Sequence, residues 1–337
     1  MSSLSIGAKL PFQAEIIDEG VDLYADIESS ALYRMLPANA KEYVMKSPHL
    51  LEYLHIFPVN TYGIPLFLSE LKKELRTMQS PNIIYPVSDT TFVHILADPN
   101  DVRAYYIPIE PSFLHSVSEI MPVIEHKLID LIDALDYDPV TDKERAEVIT
   151  KMLTKVAVIN SKISESEIFN EDNTKKQDFK TKLTEFLNKD LTAKDGKIPR
   201  LASGVKIQKT LDGRIILSEP EYRALEYLLI RDKIDMGVLK PFLSDSNIED
   251  ISCDGVGPIF VEHKIFKGLK SVIEFKESTE LDKFVIKMAE RIKNQLLTAA
   301  RSSMQHFPMV PVSILCMERI FPDTAAISPS VKSTKFP

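Results

Sequence analysis

The sequence predicts an α+β protein with an N-terminal helical and hairpin domain over 31–160, a charged linker over 161–205 and a small α+β module over 206–300. Three observations predict it. Two β-branched and aromatic runs, 91–97 and 102–109, flank the turn sequence DPND, which is the signature of a hairpin. A capping box, Thr141 with Glu144, and the start signals Ser218, Pro220 and Glu221 open amphipathic helices. Beyond the second of these helices, three short strand-like runs separated by turn residues lead into a further amphipathic helix, so the module reads helix, three-strand sheet, helix.

Taken in order, residues 1–30 mix acidic and small side chains without a strong period and form an extended arm. From Ala31 to Met78 the apolar clusters are broken by Pro37, Pro48, Pro58 and Pro65, which predicts several short helices instead of one long one. After the hairpin, Ser112 can cap a helix whose apolar stripe is Met121, Ile124, Leu128, Leu131 and Leu135. The helix opened by Thr141 buries Val148, Met152 and Val156. The linker is rich in both charges and poor in large apolar residues, apart from a short helical pattern at 179–187. The helix opened by Ser218 buries Tyr222, Leu225, Leu228 and Leu229. Strands are expected at 250–253, 259–263 and 271–275, with turns DGVGP and FKGLK between them. Thr279 and Asp282 then cap a helix that places Leu281, Phe284, Val285, Met288 and Ile292 on one side.

Composition narrows the function. Of 337 residues, 44% are hydrophobic and 27% charged, a globular balance, and the net charge of −8 lacks the basic stripe that a phosphate backbone requires, so nucleic acid is not an expected partner. The two cysteines, Cys253 and Cys316, are too few for a disulfide framework and suggest a reducing compartment. No apolar run has the length of a membrane span and the N-terminus lacks signal-peptide character, which predicts a cytoplasmic protein.

Chemistry-bearing residues concentrate in one stretch. Asp245, Glu249, Asp250 and Asp254 form a carboxylate cluster suited to a hard cation or to acid/base work, although aspartates at strand entries commonly bond nearby backbone and need no catalytic role. Gly255-Val256-Gly257 is too short for a phosphate loop and runs into Pro258 where a helix should open; it reads as a hairpin turn. Cys253 and His263 could serve as nucleophile and base, but the expectation is a buried thiol and an exposed histidine on separate strands.

The stretch RDKIDMGVLKPFLSDSNIEDISCDGVG at 231–257, with VSDTTFVHILADPNDVRAYYIPIEP upstream and LDKFVIKMAERI downstream, resembles the archaeal type II/IV secretion ATPases that drive archaella and pili. The resemblance covers about 85–292 less the linker. It implies a homohexameric ring that binds ATP and magnesium at the inner face of a membrane and acts on a polytopic platform protein. It also points to Arg231, Asp232, Glu249, Asp250, Asp254 and Gly255 as motif residues for assembly or for a position near nucleotide.

Such an ATPase needs the phosphate loop GxxxxGK[ST], whose backbone amides curl around the phosphates while the lysine reaches the transferred one. The single Gly-Lys pair, Gly196-Lys197, has Leu191 and Ile198 where glycine and Ser/Thr are required, and no glycine follows Gly268. The RecA-like catalytic domain is therefore absent from this sequence, and the chain alone is expected to be inactive and to bind no cofactor. Past Ala300 the pattern ends. Read one frame over, the codons around 307–312, 315–320 and 327–332 can yield LPDGSR, VYGKD and FTIRK, which resemble the family's continuation. The expectation is an out-of-frame, poorly packed tail over 301–337 carrying Cys316, and an N-terminal fragment of a secretion ATPase. The alternative is a stand-alone interaction or regulatory protein that binds such rings or their platform. A hydrolase built on Cys253 and His263 would need those groups to converge.

Overall fold

The computed structural model describes residues 10–14, 23–99, 101–132, 139, 141–163 and 208–301, the last ten by backbone alone. The expected helix at 179–187 and the tail beyond Arg301 lie outside the described residues. The class is α+β, and among the described residues no helix is long and apolar enough to cross a membrane.

The described residues fall into two compact units, one within Pro111–Gly237 and one combining Ile6–Glu110 with Val238–Pro337. The second unit begins with four short helices, α1 (Ala31–Met35), α2 (Ala38–Lys46), α3 (His49–Ile56) and α4 (Val59–Tyr62). Prolines set their starts as expected: Pro37, Pro48 and Pro58 are the N-cap residues of α2, α3 and α4. The arm is partly built in, because the Phe12 ring packs edge-on against Tyr53 and Phe57.

Strands β1 (Leu66–Phe67), β2 (Asn82–Pro86), β3 (Phe92–Leu96) and β4 (Tyr105–Ile109) follow, and the expected hairpin is β3–β4, paired from Phe92↔Ile109 to Leu96↔Tyr105. In the first unit come α5 (Met121–Ile132), α6 (Asp142–Val156), β5 (Ala157–Ile159), β6 (Ile215–Leu217) and α7 (Glu219–Lys233). Here β5 and β6 pair in parallel, and the three helices close a core that includes Ile124, Leu128, Met152, Leu153, Leu225 and Leu229. The expected capping box of Thr141 with Glu144 is present, and the start signals at Ser218 also close into one, Ser218 with Glu221. Ser112, however, does not cap α5. The helix starts nine residues later at Met121, where the Val117 carbonyl accepts from the Ile120 and Met121 amides and ends the preceding turn.

The chain returns to the second unit through α8 (Lys240–Ser244), β7 (Ile248–Ser252), β8 (Gly257–His263), β9 (Lys267–Phe275) and α9 (Ser278–Arg301). The three strands are consecutive antiparallel neighbours, but they do not stand as a sheet of their own. β9 pairs in parallel with β4, giving one mixed seven-stranded sheet in the order β1-β2-β3-β4-β9-β8-β7. The helix expected to complete a local module, α7, groups instead with α5 and α6.

One side of this sheet over β2 and β3 is covered by α2 and α3, through the ring contacts Tyr43–Phe92 and Tyr53–His94. The other side curls. Tyr85 on β2 and His263 on β8 are four strand spacings apart in sheet order, which would be about 19 Å across a flat sheet, yet their side chains meet at 3.3 Å. Inside the curl sits α8, whose Phe242 stacks on Tyr106 with ring centroids 5.2 Å apart.

The Ser218 box gives the first prediction. Ser218→Ala removes the acceptor for the Glu221 amide and should cost about 1 kcal/mol in urea denaturation; an unchanged midpoint would mean that α7 is held by its packing alone.

Candidate functional site

The densest arrangement of chemical groups among the described residues lies inside the curled sheet. The chain leaves α8 at Asp245, which is 4% exposed. Its Oδ2 accepts from the Tyr85 hydroxyl at 2.5 Å and from the Tyr106 hydroxyl at 3.1 Å, and its Oδ1 accepts from the Asn247 backbone N–H at 2.8 Å and the Asn247 side-chain amide at 3.0 Å. Strand register explains the convergence. Tyr85 and Tyr106 both point to the inner side of the sheet, from β2 and β4, and the tight Asp245-Ser246-Asn247 turn presents the carboxylate between them.

His263 completes the network. Its Nδ1 accepts from the Ile265 and Phe266 amides at 3.1 and 3.2 Å, which leaves the proton on Nε2 to be donated to the Tyr85 oxygen at 3.3 Å. The expected exposed histidine is thus a buried one, at 0% exposure, because it ends β8 on the inward register and folds the β8–β9 turn over its ring. Burial holds its pKa down to about 4, against the opposing pull of the Asp245 charge. Burial also raises both tyrosines well above their ordinary value, so each remains a donor. No lysine or arginine among the described residues forms an ion pair with Asp245, so its charge is carried by four hydrogen bonds.

A second buried chain lies between the sheet and the helices. Tyr53 donates to His94 Nδ1 at 2.7 Å, His94 Nε2 donates to the Asn82 oxygen at 2.7 Å, and the Asn82 amide donates to the Tyr62 carbonyl at 2.9 Å. Burial lowers the His94 pKa to about 3.

The remaining sequence candidates are dispersed. Glu249 is exposed and Asp250 half-buried on the edge strand β7; Asp254 is exposed in the following turn and accepts from the Ser252 hydroxyl at 3.3 Å. The carboxylate cluster therefore separates into one buried anchor and three side chains along a sheet edge, and among the described residues no three His, Cys, Asp or Glu side chains form a metal cage. Gly255 and Gly257 take φ values of 122° and 136°, which only glycine adopts readily, and make the β7–β8 hairpin turn. Cys253 is half-buried and its thiol faces the Gly255 carbonyl at 3.5 Å. It follows Ser252, which pairs with Phe260, so it lies about 13 Å along the strands from His263, too far for a nucleophile and its base. In the other unit, Arg231 and Asp232 at the end of α7 form an ion pair at 2.9 Å.

Two predictions follow from this geometry. Asp245→Ala leaves two buried hydroxyls without their acceptor and should cost about 2–4 kcal/mol in chemical denaturation, whereas Asp245→Asn, which keeps an acceptor, should cost less; equal and small losses would remove Asp245 from its anchoring role. Both His94 and His263 have folded pKa values below the ordinary 6.5, so the folded state resists a proton that the unfolded chain accepts. Stability is then complete above pH 6.5 and falls as the pH drops toward 4, and denaturation midpoints across that range should show it. His263→Asn, which retains an acceptor for the two turn amides, should make the slope shallower by about one proton; an unchanged slope would show that His263 does not titrate against a buried state.

No established protein-family profile matches the chain. It is 28% identical over 260 residues to the uncharacterized protein MJ0900 of Methanocaldococcus jannaschii, a match covering 77% of this chain and 40% of the relative. It is 38% identical over 96 residues to a second uncharacterized protein of that organism, MJ1288, covering 28% of this chain and 38% of the relative. The chain thus spans about two-fifths of the length of each of these archaeal relatives.

Proposed function

We propose that this chain is the front, non-catalytic part of a ring-forming secretion ATPase of the archaellum and pilus type, inactive by itself because the phosphate loop belongs to a further domain. The observation that carries the reading is the stretch 231–257, which resembles these ATPases over its whole length and occupies the end of α7, all of α8 and β7, and the turn into β8. The match to a longer archaeal protein, 60% of which lies beyond the shared region, is in keeping with a parent that carries more than these two units. In that parent, ATP and magnesium bind the RecA-like domain, six copies form the ring, and a polytopic membrane protein at the inner face of the cell membrane is the platform. Of the motif residues, Glu249 and Asp254 offer exposed carboxylates beside the Gly255 turn for contacts in assembly, while Arg231, Asp232 and Asp250 are half-buried and the first two pair with each other.

The reading predicts that a fluorescent ATP analogue with magnesium shows no saturable binding to the purified chain, and tight binding by the isolated chain would overturn it. It also predicts that nucleotide sequence from the codon for Lys293 onward contains an open frame that continues to GxxxxGK[ST]. A stop in every frame without that motif would instead favour a stand-alone protein that binds rings or their platform.

A further inference from the structure

The connection between β1 and β2 is tied to its unit by very little. Over residues 69–80, which include a short 3-10 helix at Lys73–Thr77, every residue is exposed except Leu71 and Leu75, which are half-buried. The Leu75 amide donates to the Lys72 carbonyl, the Met78 amide to the Leu75 carbonyl and the Thr77 hydroxyl to the Glu74 carbonyl, all within the segment. Among the described residues a single hydrogen bond leaves it, from Arg76 Nη2 to the Lys264 carbonyl oxygen at 2.8 Å, across 188 residues of chain. A stretch with so little buried surface and one outside bond belongs to the low end of local stability and opens without the sheet.

The point of attachment is the junction of the buried network. Lys264 opens the β8–β9 turn, and its carbonyl belongs to the same peptide group as the Ile265 N–H, which donates to His263 Nδ1 at 3.1 Å. From His263 the path runs through Nε2 to the Tyr85 hydroxyl and on to Asp245 Oδ2. The Lys264 amide donates to the Asn247 carbonyl at 2.9 Å and its ammonium to the Ser246 carbonyl, so the same residue grips the turn that presents Asp245. A guanidinium on the carbonyl of a peptide makes the N–H of that peptide a stronger donor. Arg76 and His263 therefore hold one peptide from its two ends, the first from the exposed side and the second from the buried side.

We propose that residues 69–80 form a strap that opens and closes as a unit on the β8–β9 turn, with Arg76 as its latch, a positioning residue that tightens the buried Asp245 anchor through the Lys264–Ile265 peptide. Closed, the strap joins the β1–β2 end of the sheet to the β8–β9 end by an exposed contact, as Tyr85 and His263 join them by a buried one. Open, it leaves the turn to its buried bonds alone, and the curl loosens at that end. Coupling through a shared peptide is reciprocal, so a loosened turn also frees the strap. The inference uses only this unit and does not rest on the ATPase reading.

The test is limited digestion of the full chain at neutral pH with a lysine-specific protease, which cuts after Lys72 and Lys73 and does not need Arg76. Cleavage at these two bonds should run about two- to fivefold faster in Arg76→Ala than in wild type, the range for one exposed charge-assisted hydrogen bond, with Arg76→Lys in between. Urea midpoints equal to wild type keep the comparison local. His263→Asn should speed the same cleavage, and the double variant should be no faster than Arg76→Ala, because both changes act on one equilibrium. Amide exchange followed by NMR gives a reading that needs no His263 variant: the Ile265 amide should lose protection in Arg76→Ala while the amides of β3 keep theirs. Equal cleavage in wild type and Arg76→Ala, or cleavage no faster than that of the sheet itself, would overturn the strap. Accelerations that multiply in the double variant, or an Ile265 amide unmoved by Arg76→Ala, would overturn its link to the anchor.

Discussion

A carboxylate taken out of water without a cation beside it is among the most costly groups a fold can bury, and it is tolerated only where fixed donors replace its hydration. Asp245 meets that condition through four hydrogen bonds, two from tyrosines on β2 and β4 and two from Asn247. The requirement runs outward from there. Tyr85 and Tyr106 can donate only if both strands turn the same side inward, and Tyr85 can accept from His263 only if the sheet curls until β8 approaches β2. His263 in turn holds the β8–β9 turn through its other nitrogen. One carboxylate thus ties together segments that lie up to 178 residues apart in the chain.

This explains what was legible beforehand and what was not. The β3–β4 hairpin, the Thr141 capping box, the helix start at Ser218 and the proline-separated helices were readable because each is decided by residues within a few positions of one another. Sheet order was not, since the alternation in 259–263 states that a strand has one buried side but not which edge it joins. The parallel pairing of β4 with β9 involves only two residue pairs and leaves no mark in either sequence. β2, in the run Asn82–Pro86, was overlooked because its three consecutive central residues are all buried and so lack the period that identifies an edge or surface strand. Ser112 had the chemistry of a cap, but capping residues also stabilise turns, and here the chain makes a turn first.

The candidate site divides along the same line. The sequence placed Asp245 in a group of four carboxylates with nothing to rank them, and the ranking comes from tertiary partners: Asp245 is buried while Glu249 and Asp254 face solvent. A signal did exist. Phe242 three residues before Asp245, and tyrosines at inward positions of two apolar strands, are the kind of partners a buried carboxylate needs, yet only the fold brings them to one place. His263 was misjudged for the related reason that a histidine between Glu262 and Lys264 reads as surface, whereas alternation along β8 sends it inward and its charged neighbours outward.

The chemistry of the network argues for a load-carrying role over a reacting one. Each polar atom of Asp245, Tyr85 and His263 is already engaged by another part of the chain, so a substrate could be bound there only by breaking bonds that hold the sheet in its curl. A reaction centre keeps at least one such group available to a ligand; an anchor does not. The side chains of Asp245, Tyr85 and His263 are accordingly committed to holding the curl, each spending its polar atoms on another segment of the same unit.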